Sequence, residues 1–275
     1  MGNFPSFSRL RFLLRTSLFF GALIAFIVSG SSTARRIPSE GRNSSSASET
    51  AEAKPPAIVV GFVGGFVRHD NRVHSEVQLA DRLRQAYPSG VDVETFESYR
   101  KENARKKILS LLDTNHDGTL SPAEKQNARV ILYGHSWGGA EAVAVARELK
   151  GDGVPVLLTV QVDSVSKLGQ DDAVIPSNVA QAVNYYQPDG WVHGQSAIRA
   201  ADPSRTKIIG NFRFDYKASP YACTAYPWYD HFFVKAHTQI ECDPIVWQQA
   251  EALIRAQLPP AAAAAQEPQL TISRP

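Results

Sequence analysis

A serine between two glycines, Gly134-His135-Ser136-Trp137-Gly138, is the stretch best suited to covalent chemistry. The apolar, β-branched run Arg129 to Tyr133 leads into it, and the small-residue run Ala140 to Leu149 leaves it. A strand that passes through a glycine-flanked turn into a helix exposes the serine hydroxyl and directs helix amides toward negative charge. The pattern therefore predicts a nucleophile at Ser136. The alternative is a serine that only caps the helix.

With this turn in its strand–helix setting, the sequence resembles the α/β-hydrolase superfamily, and within it serine esterases, lipases and thioesterases. The resemblance covers most of Ala57 to Leu258 in the order of elements. It implies a Ser-Asp-His triad with the acid and then the histidine following the serine. It also implies two backbone N–H groups that stabilise an oxyanion.

The resemblance favours His237 as the base, because "KAHTQIECDP" reads as a loop directly before the last predicted helix. His231 and His193 remain alternatives. For the acid, Asp163 ends the predicted strand "VLLTVQVD" and is preferred. Asp189 follows one strand later, at the more usual superfamily position, and stays open as the alternative.

The oxyanion hole is expected to use the N–H of Trp137, the residue after the nucleophile. Its second N–H is expected from Gly65 or Phe66 in "GFVGGFV", where the glycines allow a close backbone approach. The histidine that precedes the glycines in HGGG-type lipases is absent from this stretch.

An EF-hand-like pattern precedes the nucleophile strand in "DTNHDGTLSPAE", residues 113–124. Side chains and one carbonyl at the ligand positions of such a loop predict a Ca²⁺ site; they are Asp113, Asn115, Asp117, Thr119 (carbonyl) and Glu124. Ser121 and Glu124 also form a capping box that starts a short helix. Sensor proteins pair such loops, so a single loop predicts a structural ion. The alternative is a polar turn that holds no metal.

Apolar runs and helical spacing alternate along the chain and predict an α/β fold, a mostly parallel sheet with helices on both faces. Strands are predicted at 57–63, 91–96, 129–133, 154–162, 179–186 and 206–214. Helices are predicted at 74–87, 101–112, 140–149 and 244–258. In such sheets ligands bind beyond the carboxyl ends of the strands, where Ser136 and Asp163 fall.

The chain ends read differently from this domain of residues 57–258. Residues 1–34 have the basic, apolar and small-residue order of a signal peptide or signal anchor, residues 35–56 read as a linker, and residues 259–275 as a tail. An exported, secreted or periplasmic protein is expected, with membrane contact only through an uncleaved anchor. In that setting Cys223 and Cys242 are expected to form a disulfide rather than two buried thiols.

These features together predict an exported serine hydrolase, expected to be monomeric, that cleaves a small-molecule or lipid ester or thioester. The net charge of +2 gives no reason to expect nucleic acid, and no pattern indicates an organic cofactor. Two alternatives remain: an inactive calcium-dependent binding protein on the same fold, and a peptidase or acyltransferase that uses the same serine.

Overall fold

The computed structural model describes residues 55–226 and 235–261. The predicted signal segment and almost all of the predicted linker and tail lie outside these ranges. His231, one alternative for the base, also lies outside them.

Eight strands and six helices are found in the described residues. The strands are β1 Ala57–Val63, β2 Val91–Glu97, β3 Arg129–His135, β4 Val156–Val162, β5 Val174–Ile175, β6 Val179–Tyr186, β7 Arg199–Ala200 and β8 Lys207–Arg213. The helices are α1 Ser75–Ala86, α2 Lys101–Leu112, α3 Pro122–Gln126, α4 Trp137–Gly151, α5 Lys235–Cys242 and α6 Pro244–Ala256.

Six of the strands form one parallel sheet in the order β2-β1-β3-β4-β6-β8. Helical crossovers link the first four of them, so that their carboxyl ends lie at one edge of the sheet. The register pairs His135 of β3 with Val162 of β4, and Val162 with Tyr185 of β6. The residues that follow β3 and β4 are therefore neighbours.

Each strand of the central sheet sends alternate side chains into two separate cores. On one face Val59, Ile131 and Val160 pack with residues of α1 and α6. On the other face Ile58 and Val130 pack with residues of α2 and α4. This two-faced burial confirms the predicted α/β fold with a parallel sheet between helical layers.

The boundaries of the six main strands follow the sequence predictions closely, and two segments differ. The segment 235–242 was predicted as a loop but forms α5, because Ala236, His237 and Ile240 recur at helical spacing on its buried side. The pair β5–β7 was not predicted, since strands of two residues have no periodicity to detect. No helix in the described ranges has the length and apolar character that a membrane span requires.

The predicted disulfide between Cys223 and Cys242 is confirmed, with Cα atoms 5.8 Å apart. It joins the end of α5 to the segment before the undescribed residues 227–234. The disulfide therefore limits how far α5 can move from the body of the domain.

Helix α4 lies unusually close to β1 where the chain leaves the serine turn. A Cβ added to Gly138 would lie 2.1 Å from the carbonyl oxygen of Phe62. A gap of that size excludes every residue except glycine. The second glycine of the motif therefore sets how tightly the helix packs on the sheet.

We expect Gly138→Ala to lower the free energy of unfolding by about 1–3 kcal/mol or more, because backbone must move to admit the methyl group. Gly151→Ala, at the other end of α4, is the matched control: its added Cβ has no atom within 4 Å. That change should stabilise the protein by up to about 1 kcal/mol. Urea denaturation of both variants checks this, and equal stability of the two would contradict the packing argument.

Candidate active site

Ser136 lies at the turn between β3 and α4 in a backbone conformation that non-glycine residues rarely adopt, with φ 55° and ψ −127°. It is the N-cap residue of α4, yet its side chain makes no capping hydrogen bond. The simple helix-cap alternative is therefore excluded. The strained turn leaves a partly exposed serine beside the first amides of a 15-residue helix.

Asp163 occupies the equivalent place one strand away, directly after β4. It is fully buried and also has a positive φ, 41°. Its Oδ1 accepts the Gly194 N–H at 2.8 Å, and its Oδ2 accepts from the Gln187 side-chain amide at 2.8 Å. These donors fix the orientation of the carboxylate.

The Asp163 carboxylate binds His237. Oδ2 of Asp163 lies 2.7 Å from Nδ1 of His237. Because an ionised carboxylate only accepts hydrogen bonds, Nδ1 carries the proton and Nε2 has the lone pair. The His237 ring also lies against the ring of His135, with centroids 4.4 Å apart, and His135 directly precedes Ser136. The Asp163–His237 pair thus lies at the carboxyl edge of the sheet, against the residue that precedes Ser136.

The other candidates for base and acid lie elsewhere or pair differently. Asp189 forms an ion pair with Lys217, Oδ1 to Nζ 2.9 Å, and this lowers the pKa of Asp189. His193 is exposed, and its Nδ1 lies near the carbonyl of Gly194. Of the acid and base candidates that the sequence offered and the structure describes, Asp163 and His237 are the two that contact each other.

The loop after β1 lies against the serine turn, as expected for an oxyanion loop. A Cβ on Gly64 would lie 3.1 Å from the Ser136 Cβ, so glycine permits this approach. The ring of Phe66 packs edge-on against Trp137 at 5.3 Å. Ser98 donates to the Gly65 carbonyl at 3.0 Å. Since C=O and N–H of one trans peptide point in opposite directions, this bond directs the Phe66 N–H away from Ser98.

Sequence reasoning missed a group of ionisable side chains next to His237. We call it the buried cluster; it comprises His74, Glu76, His135 and Glu241, each at most 8% exposed. His74 Nδ1 is hydrogen-bonded to Glu241 Oε1. His135 Nδ1 lies 3.4 Å from Glu241 Oε2 and 3.8 Å from Glu76 Oε1. Tyr226 packs edge-on against the His74 ring.

Burial controls the charges in this cluster. It raises the pKa of Glu76 well above its usual range, with repulsion from Glu241 adding to the effect. Burial, and then repulsion from His237, lowers the pKa of His135 well below its usual range. His135 is therefore neutral. The available signal was spacing: His74 and Glu76 form H-x-E, and His237 and Glu241 lie four apart on α5.

A cleft of about 930 Å³ lies against α5 and is lined partly by aromatic and aliphatic side chains. Ala236 and Gln239, on either side of His237 in α5, contribute to its wall. Trp191 stands fully exposed at this cleft, and Lys217 and Lys235 provide positive charge there. The cleft can hold an apolar group next to the His237 helix.

The EF-hand-like loop connects α2 to α3 as predicted. Ser121 and Glu124 form the capping box of α3, and Gly118 makes the turn with φ 83°. The oxygens of the acidic side chains accept loop N–H groups: Asp113 from Gly118 at 2.9 Å and Asp117 from Thr119 at 2.8 Å.

The loop fits Ca²⁺ well at its first positions and less well at its last. Asp113 Oδ1 and Asn115 Oδ1 both accept the Asp117 N–H, so these oxygens converge on one turn. Glu124, however, gives Oε1 to the Thr114 N–H at 2.7 Å and Oε2 to the Ser121 N–H at 2.8 Å. These amides lower the pKa of Glu124 to about 2. In this arrangement Glu124 is a helix cap rather than a ligand.

Comparison with known proteins gives structural similarity only. No protein-family model and no curated protein matches the sequence. A cutinase-like protein from Cryptococcus sp. is 14% identical with a TM-score of 0.38, over 76% of this chain and 97% of that one. A dienelactone hydrolase from Anabaena variabilis is 12% identical with a TM-score of 0.35, over 74% and 85%. A dienelactone hydrolase-like promiscuous phosphotriesterase from metagenomic libraries is 16% identical with a TM-score of 0.33, over 76% and 90%. At these values, the function proposed below is based on the geometry of this chain alone.

Proposed function

We propose that the protein is a serine hydrolase that cleaves a carboxylic ester or thioester through Ser136, His237 and Asp163. The 2.7 Å contact between Asp163 and His237, next to the strained serine turn, is the observation that carries this proposal. A carboxylate that fixes the Nδ1–H tautomer of a histidine leaves Nε2 basic, which is what deprotonation of a serine requires.

In the proposed reaction, His237 Nε2 takes the proton of Ser136 as the hydroxyl oxygen attacks the substrate carbonyl. The N–H of Trp137, at the first position of α4 where helix amides lack intrahelical partners, stabilises the oxyanion. The second donor is Phe66 or Gly65. The imidazolium, stabilised by Asp163, then protonates the leaving alcohol or thiol. Water activated by His237 hydrolyses the acyl-enzyme and restores the serine.

The substrate we infer has an apolar acyl or alcohol group that occupies the cleft beside α5. Trp191, Val192 and Tyr216 supply apolar surface there, and burial of apolar area contributes about 25 cal/mol per Å². The chain needs no organic cofactor for this reaction. We infer that the protein acts as a monomer on small-molecule or lipid esters, without nucleic acid. Export is inferred from the N-terminal pattern, and a disulfide is typical of oxidising compartments.

We further propose that residues 113–124 bind Ca²⁺ as a structural ion, with Asp113, Asn115, Asp117 and the Thr119 carbonyl as ligands. Glu124 would join them only by turning away from the Thr114 and Ser121 amides. The loop leads into the start of β3, whereas Ser136 follows its end. Seven residues of strand separate the two by about 20 Å. The ion would therefore stabilise the connection into β3 and take no part in the chemistry.

We expect Ser136→Ala to reduce hydrolysis of activated esters by about 10⁴- to 10⁶-fold, because the nucleophile is lost. p-Nitrophenyl esters of increasing chain length provide the assay and test the apolar cleft. A fluorophosphonate probe should label the wild type and not the variant. Failure to label a folded wild type would instead favour the inactive binding protein. Turnover of peptides, or acyl transfer to alcohols in place of ester hydrolysis, would instead identify the protein as a peptidase or acyltransferase that uses the same serine.

We expect Asp163→Asn to lower kcat by about 10⁴-fold, because an amide at this position no longer fixes the required histidine tautomer. Asp189→Asn is the matched control. It removes an ion pair with the exposed Lys217 side chain and should leave kcat nearly unchanged. A larger loss in the Asp189 variant would transfer the role of the acid to that residue.

We expect millimolar Ca²⁺ to raise the melting temperature and EDTA to lower it. Binding a hundredfold above Kd stabilises the native state by about 2.7 kcal/mol. Asp117→Asn should abolish this response. The matched control is Asp202→Asn, since Asp202 accepts from Ser204 N and Oγ much as Asp117 accepts from Thr119. Ester turnover should persist in EDTA at low temperature. If neither Ca²⁺ nor EDTA changes the melting temperature, the calcium site is rejected.

A further inference from the structure

The buried cluster lies behind His237, and the proposed hydrolysis makes no use of it. We propose that this cluster, His74, Glu76, His135 and Glu241, binds a divalent transition-metal ion and that this ion is Zn²⁺. In the described ranges, His74, Glu76 and Glu241 are the one group of three His, Cys, Asp or Glu residues whose ligand atoms all lie within 4.8 Å.

Two separations in the cluster match those between metal ligands better than those between hydrogen-bonded atoms, whereas His74 Nδ1 and Glu241 Oε1 are directly hydrogen-bonded. His135 Nδ1 lies 3.4 Å from Glu241 Oε2 and 3.8 Å from Glu76 Oε1. A hydrogen bond would bring such atoms to about 2.8 Å. Tetrahedral Zn²⁺ with bonds of about 2.0 Å to N and O places its ligand atoms about 3.3 Å from one another. The cluster therefore has room for an ion between its members.

Glu76 gives the second, independent indication. Its side chain is fully buried, and among the described residues neither carboxylate oxygen has a hydrogen-bond donor, with the Glu241 carboxyl as a near neighbour. Oε1 faces His135 within the cluster. A buried carboxylate without a donor is costly unless a cation or a proton neutralises it. A bound metal ion would neutralise the carboxylate and satisfy the oxygen that ligates it.

The composition of the cluster selects the kind of ion. Two carboxylates balance a divalent cation, so the occupied site would be neutral inside the protein. Two imidazoles with two carboxylates suit Zn²⁺, whereas Ca²⁺ and Mg²⁺ prefer oxygen ligands alone. The hydrogen bond between His74 and Glu241 must break when both side chains bind the metal.

The ion would join three elements of the fold. His74 directly precedes α1, Glu76 belongs to α1, His135 ends β3 and Glu241 lies on α5. His237 occupies the same face of α5, one turn before Glu241. Metal binding would therefore anchor the helix that positions His237. This role does not depend on the hydrolase proposal, because the metal content of the protein reports it directly.

The first test measures the metal in wild-type protein grown with added zinc, by inductively coupled plasma mass spectrometry. We expect stoichiometric zinc, removable by dipicolinate in moderate urea with the disulfide intact. Zinc returned to the refolded apoprotein should raise its melting temperature. Co²⁺ in its place should give the intense visible absorption of a four-coordinate site. This first test needs no variant, so it still decides the proposal if a substitution prevents folding.

The second test uses isosteric variants. Glu76→Gln should lose the zinc and the thermal response. Glu97→Gln is the matched control, because Glu97 contacts His69 at 2.8 Å in an exposed pair of the same residue types. It should keep the zinc. Asp117→Asn should also keep the zinc, which separates this site from the calcium loop.

The proposal is overturned if wild type and Glu76→Gln carry the same metal content, or if apoprotein responds to neither Zn²⁺ nor Co²⁺. A Glu76→Gln variant as stable as the zinc-grown wild type, or more stable, would also overturn it. That result would mean that a proton neutralises Glu76, since glutamine then mimics the protonated acid.

Discussion

The hydrogen bond between Asp163 and His237 is the interaction on which the candidate site depends. It joins the end of β4 to α5 across 74 residues of sequence. Asp163 can make it because its left-handed backbone turns the carboxylate out of the strand direction, and because Gln187 and Gly194 hold it there. Ser136 on the neighbouring strand has a positive φ as well. Two strained residues side by side indicate that this edge of the sheet is built for chemistry rather than for stability.

Helix α5 contributes side chains both to the candidate active site and to the buried cluster. His237 faces Asp163, and Glu241, one turn later, faces His74 and His135. The disulfide fixes the end of the same helix through Cys242. The interior thus contains a polar layer under the serine turn. Buried polar groups are costly, so they are expected to define one arrangement of α1, β3 and α5 rather than to add stability.

The acidic loop acts at the opposite end of β3 from the serine. Its side chains satisfy the amides of their own turn, and Glu124 caps α3. The Glu124 oxygens that would bind a cation already accept backbone amides, and hydrogen bonds alone give the loop a defined shape. Any influence of the loop on Ser136 must pass along β3, whose residues are almost all buried between two helical layers. Such a strand couples the loop to the position and stability of the serine turn, and it brings no ligand of the loop to the reacting atoms.

The sequence by itself determined the features that depend on local order. Apolar runs and helical spacing gave the boundaries of the six main strands to within a few residues, and the glycine-flanked serine and the capping box were readable as motifs. Its order also placed Ser136 and Asp163 after strands. The sequence favoured Asp163 and left Asp189 open, because the histidine that contacts Asp163 lies 74 residues away and only the tertiary structure shows the contact. The same holds for the buried cluster, whose members lie up to 167 residues apart. Only packing brings such residues together, since side-chain contacts across the sheet have no periodic signal in the chain.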